Sequence, residues 1–155
     1  MFSTIASGIT SRLAWQKRSH SSATLDSLND SIAMIEFMAD GTIITANALF
    51  LEKMGYKSDE IVGQHHSMFC TPDLLQSRQY QQFWMRLNRG ESFSDKFLRV
   101  AKDNRPVWLE ANYVPVRDRH GRVFKIVKLA TDITSRIIDA QEQRAMTNAL
   151  SLIHI

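Results

Sequence analysis

Three tight-turn signals constrain the fold of this 155-residue chain more than any other feature of its sequence. They are Asp40-Gly41, Asp103-Asn104 and the segment from Asp118 to Gly121. Each separates two apolar segments of strand length, as the short loop of an antiparallel pair does. Helical periodicity fills the region between the second and third strands. The order predicts an α+β fold, a five-stranded antiparallel sheet with helices on one face and a ligand-sized concavity between them.

The predicted elements follow from these signals. The strands are Ser31 to Met38, Thr42 to Ala46, Phe93 to Ala101, Pro106 to Val116 and Val123 to Ala130. The helices are Ala48 to Met54, a short turn opened by Ser58, and Asp73 to Arg89. We expect Asn47 to cap the first of these helices, and Gly55 and Gly90 to end the helices before them.

Flanking segments divide the chain into residues 1–30, 31–134 and 135–155. Residues 1–25 contain no acid, and Ile5, Ile9, Leu13 and Trp15 fall at helical spacing. This pattern fits either a transit peptide or a helix that caps the domain. A second short helix is predicted from Thr24 to Asp30, with Leu25 and Leu28 facing inward and a hinge at Ser19 to Ser22.

Residues 135–155 are predicted to form a helix with apolar residues seven apart at Ile138, Ala145 and Leu152. Polar residues occupy the partner heptad positions, so both a coiled coil and a simple packing helix remain open. Since the apolar pattern is unbroken at the last residue, we expect the helix to continue into an output domain.

Composition narrows the function classes. The net charge of +3 is mild, and no basic stripe interleaved with aromatic residues indicates a nucleic-acid surface. The single cysteine, Cys70, excludes an internal disulfide and a zinc pattern, which fits the cytoplasm. No apolar run reaches the length of a membrane span. No catalytic triad, carboxylate pair or phosphate loop is present, so we expect no enzyme.

The stretch from Glu60 to Asp73 is the predicted pocket wall because it holds adjacent histidines, the cysteine, a glycine and a proline. His66 is the better inward candidate, since Phe69 would share its face, and a neutral imidazole there can ligate haem iron. Alternatively, His65 and His66 cap a helix or bond the backbone. Cys70 is expected to be a buried thiol.

Two asparagines are the best polar pair for orienting a planar ligand. Asn112 would point its amide into the cavity from the fourth strand, and Asn47 would do so unless it serves as a helix cap. Trp108, on the same strand as Asn112, is expected to pack under a flanking helix or at a dimer contact.

An ordered set of short motifs carries a family resemblance across residues 31–134. The set is Asp40-Gly41, Thr45-Ala46-Asn47, Gly55-Tyr56, Glu60-Ile61-Val62-Gly63, Phe83-Trp84, Leu87, Gly90, Lys102-Asp103-Asn104, Trp108-Leu109-Glu110-Ala111, Pro115-Val116, Asp118, Gly121, Lys128 and Thr131-Asp132-Ile133-Thr134. This region resembles the PAS domains of bacterial chemoreceptor-type proteins, including aerotaxis receptors and biofilm-dispersion regulators. The resemblance implies ligand or redox sensing, dimerisation and signalling through flanking helices.

The resemblance also implies cofactor contacts. Trp84 aligns with a tryptophan associated with flavin binding in aerotaxis-receptor domains, and Pro72-Asp73 matches as well. Cys70-Thr71, however, replaces the basic pair of that pattern. His66 stands where light-sensing relatives carry their flavin-bonding cysteine. FAD, haem and no cofactor all remain open.

The resulting prediction is a cytoplasmic PAS input module that forms a homodimer and serves a downstream chemoreceptor-type signalling domain or kinase complex. It would detect redox state, oxygen or a small ligand, and Asp132, Ile133 and Thr134 would relay the signal to the C-terminal helix. The alternative is a cofactor-free module for protein–protein interaction.

Overall fold

The structure is a computed structural model that describes residues 3–153, with the side chains of residues 3–15 and 18 excluded. The helices are α1 Ser3–Ser31, α2 Ala48–Met54, α3 Ser58–Ile61, α4 Pro72–Leu75, α5 Arg78–Asn88 and α6 Thr134–Ile153, with a 3-10 helix at His66–Phe69. The strands are β1 Ala33–Met38, β2 Ile43–Ala46, β3 Phe93–Val100, β4 Pro106–Arg117 and β5 Val123–Asp132.

The five strands form one antiparallel sheet in the order β2-β1-β5-β4-β3, which confirms the predicted sheet and fold class. Alternation along each strand sends every second side chain to the inner face. Tyr113 on β4 pairs with Lys128 on β5, and Lys128 in turn pairs with Ile35 on β1. All three are buried between the sheet and the helices that follow β2.

The β1–β2 turn positions the segment that follows α3. Asp40 accepts a hydrogen bond from the Thr42 amide at 2.9 Å, and Gly41 has a φ of 91°. A Cβ at Gly41 would lie 2.6 Å from Nε2 of His65, so no other residue fits there without a shift. The Gly41 carbonyl also accepts the His66 amide at 2.9 Å, which fixes the 3-10 helix against the hairpin.

The predicted helix from Asp73 to Arg89 is two helices, α4 and α5. The chain bends at Gln76-Ser77, and the Ser77 hydroxyl accepts the amide of Tyr80 as the cap of α5. Serine is a favoured cap residue because its hydroxyl accepts a hydrogen bond from an otherwise unpaired amide of the first turn. Gly90, with a φ of 92°, ends α5 as predicted.

The expected hinge at Ser19 to Ser22 is wrong, because α1 runs unbroken from Ser3 to Ser31. Its hydroxyls bond carbonyls one turn back, as Thr24 does to His20 at 2.9 Å, so they need no break in the helix. Leu25 and Leu28 are 65% and 49% exposed and do not face inward. The predicted face at Ile5, Ile9, Leu13 and Trp15 lies outside the described side chains.

The last helix, α6, leaves the domain with its side chains exposed. Ile137 is its last half-buried residue, and Ile138, Met146, Leu150, Leu152 and Ile153 are all exposed. The coiled-coil pattern therefore stays a prediction, and residues 154–155 lie outside the structure described. Within residues 3–153, none of the helices is long and apolar enough to cross a membrane.

Candidate functional site

His66 is the centre of a buried polar cluster beneath the sheet. His65 lies just before the 3-10 helix, and its Nδ1 accepts the Ser67 amide, so that His66 points inward. His66 is 0% exposed. Its Nδ1 lies 3.0 Å from the hydroxyl of Tyr80 on α5, and its Nε2 lies 3.0 Å from the hydroxyl of Tyr113 on β4.

The direction of these hydrogen bonds follows from the fourth member of the cluster. Arg99 on β3 donates from its Nη2 to the Tyr113 hydroxyl at 3.1 Å, and a guanidinium cannot accept. Lys128 donates a second hydrogen bond to this hydroxyl, so both of its lone pairs are used and its own hydrogen points to Nε2 of His66. That leaves the hydrogen of His66 on Nδ1, where it is donated to Tyr80. The cluster is thus a directed chain from Arg99 through Tyr113 and His66 to Tyr80.

Two cations are buried at this cluster, Arg99 at 3% exposure and Lys128 at 1%. The Lys128 ammonium lies 4.9 Å from the centre of the Tyr113 ring and 5.8 Å from that of Phe50. In the described part of the chain, neither cation has a carboxylate within ion-pair distance. Burial lowers the pKa of Lys128, whereas the guanidinium of Arg99 stays protonated, so Arg99 is a buried charge without a carboxylate partner.

This charge shifts the neighbouring ionisable groups. Burial, together with Arg99 and Lys128, lowers the pKa of His66 well below its usual 6.5, so its imidazole is neutral at pH 7. Burial alone would raise the pKa of Tyr113, but the two cations outweigh it and lower that pKa. Burial raises the pKa of Cys70, whose Sγ lies 3.5 Å from Nδ1 of His66; the thiol is therefore un-ionised.

Aromatic side chains surround the imidazole closely. The ring centres of Phe37, Trp84 and Tyr113 lie 5.2, 5.3 and 5.8 Å from that of His66. Phe83 also packs edge-on against the Tyr113 ring at 4.9 Å. These distances between ring centres are typical of packed aromatic pairs, and the rings fill the space beside His66.

Neither haem nor flavin fits this arrangement. Both nitrogens of His66 are engaged by tyrosine hydroxyls, so neither is free to ligate iron. A flat ring system could enter beside Trp84 only by displacing the aromatic side chains that pack there. The indole nitrogen of Trp84 is buried without a hydrogen-bond partner in the structure described.

A groove of about 560 Å³ lies between α5 and the edge strand β3. Its apolar walls include Leu74, Phe83, Phe93 and Phe97, and Arg99 and Tyr80 of the buried cluster also line it. The groove thus connects solvent with the cationic end of the hydrogen-bonded chain.

Three of the predicted contact residues are exposed and lie away from the buried cluster. His65 is exposed, and its Nε2 donates to the Asp40 carbonyl at 2.8 Å. Asp73 is an exposed residue in the first turn of α4. Asn112 is exposed on the outer face of the sheet, because the register that turns Tyr113 inward turns its neighbour outward.

Asn47 is the predicted helix cap, and this role uses all of its hydrogen-bonding capacity. Its Oδ1 accepts the amides of Phe50 and Met34, and its Nδ2 donates to the carbonyls of Asn29 and Ile32. It therefore joins α1, β1 and α2 and has no hydrogen-bonding group left for a ligand. Of the predicted contacts, only His66 and Trp84 meet in the interior.

The predicted relay residues tie β5 to α6. Ile133 is buried, and its amide donates to the Trp108 carbonyl at 2.9 Å. The Thr134 hydroxyl accepts the Trp108 amide at 2.9 Å and donates to Asp132 at 2.6 Å. Burial disfavours the Asp132 carboxylate, but hydrogen bonds from Thr134 outweigh it and lower its pKa. The start of α6 is therefore bonded to the same strand that carries Tyr113.

Sequence reasoning missed Arg99, Lys128, Tyr80 and Tyr113. Charged residues are expected at the surface, so neither Arg99 nor Lys128 was predicted to contact a ligand. The alternation of their strands contained the signal, since Arg99 shares a phase with Phe97, and Lys128 with Ile126. Within the described residues, no three His, Cys, Asp or Glu side chains form a metal-binding group.

Comparison with known proteins places this chain in a family. The sequence-family model described as the PAS fold matches residues 43–130, more than half of the chain. The chain therefore belongs to the PAS-fold family. It is 45% identical over 124 residues to the biofilm dispersion protein BdlA of Pseudomonas aeruginosa, covering 80% of this chain and 30% of BdlA. The match to the aerotaxis receptor of Escherichia coli is 31% over 100 residues, covering 64% and 19%.

Solved structures agree with this fold. A light-oxygen-voltage domain studied with a flavin analogue superimposes with a TM-score of 0.63 at 18% identity, over 81% of this chain and 96% of that one. At this identity the likeness concerns the fold alone. The matched segments span less than a third of the length of BdlA and of the aerotaxis receptor.

Proposed function

We propose that this chain is a non-enzymatic signal-input module that detects a small ligand and passes the signal through α6 to a chemotaxis-type signalling domain in the cytoplasm. The observation that carries the proposal is the position of β4. Its residue Tyr113 belongs to the buried cluster, and its residue Trp108 is bonded to the relay at Ile133 and Thr134. Membership of the PAS-fold family and the names of the two relatives support the same reading.

The mechanism is a shift between two arrangements of the cluster. A ligand that engages Arg99 or Tyr80 alters the hydrogen-bonded chain and hence the strain on β4. Because Trp108 bonds Thr134 and Ile133, a change in β4 alters the first turn of α6. The ligand shifts this equilibrium only as far as its affinities for the two arrangements differ.

The absorbance spectrum of the purified protein tests which signal is sensed. Since neither haem nor flavin fits beside His66, we expect no Soret band and no flavin absorption. Either feature would contradict a small-ligand sensor and support detection of oxygen or redox state. Native mass spectrometry on the same sample would detect a colourless ligand that co-purifies.

A second candidate is a cofactor-free module for protein–protein interaction, favoured by α6, which has no buried residue in its described part. Hydrogen exchange distinguishes the two. If a ligand slows amide exchange at residues 131–140, the sensor is supported. If ligands leave these amides unchanged while a partner protein protects α6, the interaction module is correct.

A further inference from the structure

The groove between α5 and β3 combines apolar walls with positive charge. Phe83, Phe93 and Phe97 are the phenylalanines of its wall, and the Arg86 guanidinium lies 4.7 Å from the centre of the Phe93 ring. Its charged lining residues are Arg86, Lys96 and Arg99, with Asp95 as the carboxylate. Arg86 is paired with Glu91, so Arg99 is the buried cation of the lining without a carboxylate partner. Its charge lies next to aromatic surface, which suits a ligand that is apolar and anionic.

Arg99 is the cation on which this inference depends, because a guanidinium stays charged even when buried. Its Nη1 and Nη2 donate to neutral acceptors, the Leu98 carbonyl at 2.9 Å and the Tyr113 hydroxyl. Its Nε is buried and has no hydrogen-bond partner in the structure described. Buried charges in proteins are paired with opposite charge, so an acceptor with negative charge is missing beside Arg99.

Tyr80 offers a second donor to the groove. Its hydroxyl accepts the Nδ1 hydrogen of His66 and donates its own hydrogen to the neutral thiol of Cys70, a weak acceptor that a carboxylate in the groove would replace. Burial raises the pKa of Tyr80, so this hydrogen stays in place at neutral pH. Arg99 and Tyr80 together present an N–H and an O–H, a donor set that suits the two oxygens of one carboxylate.

We propose that this groove binds an apolar organic monocarboxylate, with its carboxylate at Arg99 and Tyr80 and its body against Phe83, Phe93 and Phe97. The inference rests on the proposed sensing function and names the chemical class of its ligand. Of the two buried cations, only Arg99 lines the groove, so a single negative charge matches it. A multiply charged anion would have to bury further charge against the aromatic walls, which is costly.

Titration calorimetry on the full chain tests the proposal with 2-naphthoate and its uncharged analogue 2-naphthamide. We expect the carboxylate to bind with one site per chain and at least tenfold more tightly than the amide, since a hydrogen bond to a charged group is worth a factor of this size. Arg99→Gln should abolish this preference. Equal affinities, or no binding of 2-naphthoate, would overturn the proposal.

A second pair of variants keeps Arg99 and the buried cluster intact. Leu74 is a half-buried residue of the groove wall. Leu74→Glu places a negative charge there, whereas Leu74→Gln matches it in shape without charge. We expect the glutamate variant to bind 2-naphthoate at least fivefold more weakly than the glutamine variant, with 2-naphthamide affected equally by both. Equal 2-naphthoate affinities of the two variants would contradict binding in this groove.

Hydrogen exchange separates the failure of this inference from the failure of the proposed function. If 2-naphthoate does not bind but an uncharged ligand protects residues 131–140, the sensor stands and the ligand class is wrong. If 2-naphthoate binds at Arg99 and leaves residues 131–140 unchanged, the ligand class stands and the sensing function is wrong.

Discussion

The hydroxyl of Tyr113 connects the charge of Arg99 to the imidazole of His66. The effect of removing this hydroxyl is easy to measure. Because the hydroxyl bonds Arg99, Lys128 and His66, its removal takes a partner from three buried polar groups. The ring itself can remain in place, since it packs against Phe83 and Phe97. The polar and apolar roles of this residue are therefore separable.

We expect Tyr113→Phe to lower the free energy of unfolding by about 1–3 kcal/mol, the cost of a buried unsatisfied group. Urea unfolding followed by circular dichroism measures it. Tyr56→Phe is the control, because Tyr56 is half-buried and its ring packs on Phe69 without joining the cluster. An equal loss in both variants would show that the hydroxyl of Tyr113 contributes nothing specific.

The neutral state of His66 makes stability depend on pH. The unfolded chain binds a proton at this residue as the pH falls below about 6.5, while the folded chain does not, because its pKa is well below that value. The free energy of unfolding should therefore fall as the pH drops below 6.5, by up to about 1.4 kcal/mol per pH unit.

Urea unfolding at several pH values between 4.5 and 7 measures this dependence. His66→Gln removes the titrating group, so its free energy of unfolding should change less steeply across the range. An identical slope in the variant and the native chain would assign the pH dependence to other residues.

At the scale of elements, the junction between β5 and α6 depends on one hydroxyl. Thr134 accepts the Trp108 amide and donates to Asp132, so it holds the first turn of α6 to β4. We expect Thr134→Val to speed amide exchange at Trp108 and in residues 133–138, with a loss of about 1 kcal/mol.

The matched control is Thr134→Ser, which keeps the hydroxyl and should preserve protection at these amides. If Thr134→Val left the exchange rates of Trp108 and residues 133–138 at native values, the junction would have to be maintained by the Ile133–Trp108 bond and by side-chain packing.

The elements differ in how far the sequence determines them. The turn at Asp40-Gly41 and the caps at Asn47, Gly55 and Gly90 were predictable, because each depends on a few adjacent residues. The phase of β4, meaning which of its side chains point inward, was not predictable. Apolar residues occur on both of its faces, at Trp108, Leu109, Tyr113 and Val114. That phase decides between Asn112 and Tyr113, and neighbouring strands set it through their register.

The interior charges were hidden for a related reason. Arg99 and Lys128 become buried only because β3 and β5 both place them toward His66, and this meeting depends on the whole sheet. The histidine was singled out correctly, but its partners lie 14 and 47 residues further along the chain. Contacts of that range are set by topology, which the local pattern does not report.

At the scale of the whole molecule, the predicted homodimer would form through the long helices. α1 precedes the sheet and α6 follows it, and the apolar side chains of α6 are exposed. These exposed side chains support the expected homodimer, because burying them against a second helix would remove apolar surface from water.

Deletion of residues 1–24 should shift the protein toward monomer in sedimentation equilibrium, since it removes most of α1. The remaining domain keeps Asn29 and its bond to Asn47, so the fold should persist. Circular dichroism is the control, and the contribution of the β-sheet to the spectrum should not change. An unaltered mass at all concentrations would show that residues 1–24 play no part in association.

The exposure of α6 also determines how the chain can be joined to other proteins. Beyond Ile137 the helix has no buried side chain, so residues can be added there without disturbing the core. Each added residue rotates everything downstream by about 100°, while seven return it to within about 20° of its first orientation. The angular phase at which a downstream helix leaves this domain is thus a single adjustable variable, and insertions of seven residues should preserve a signal that insertions of two or five destroy.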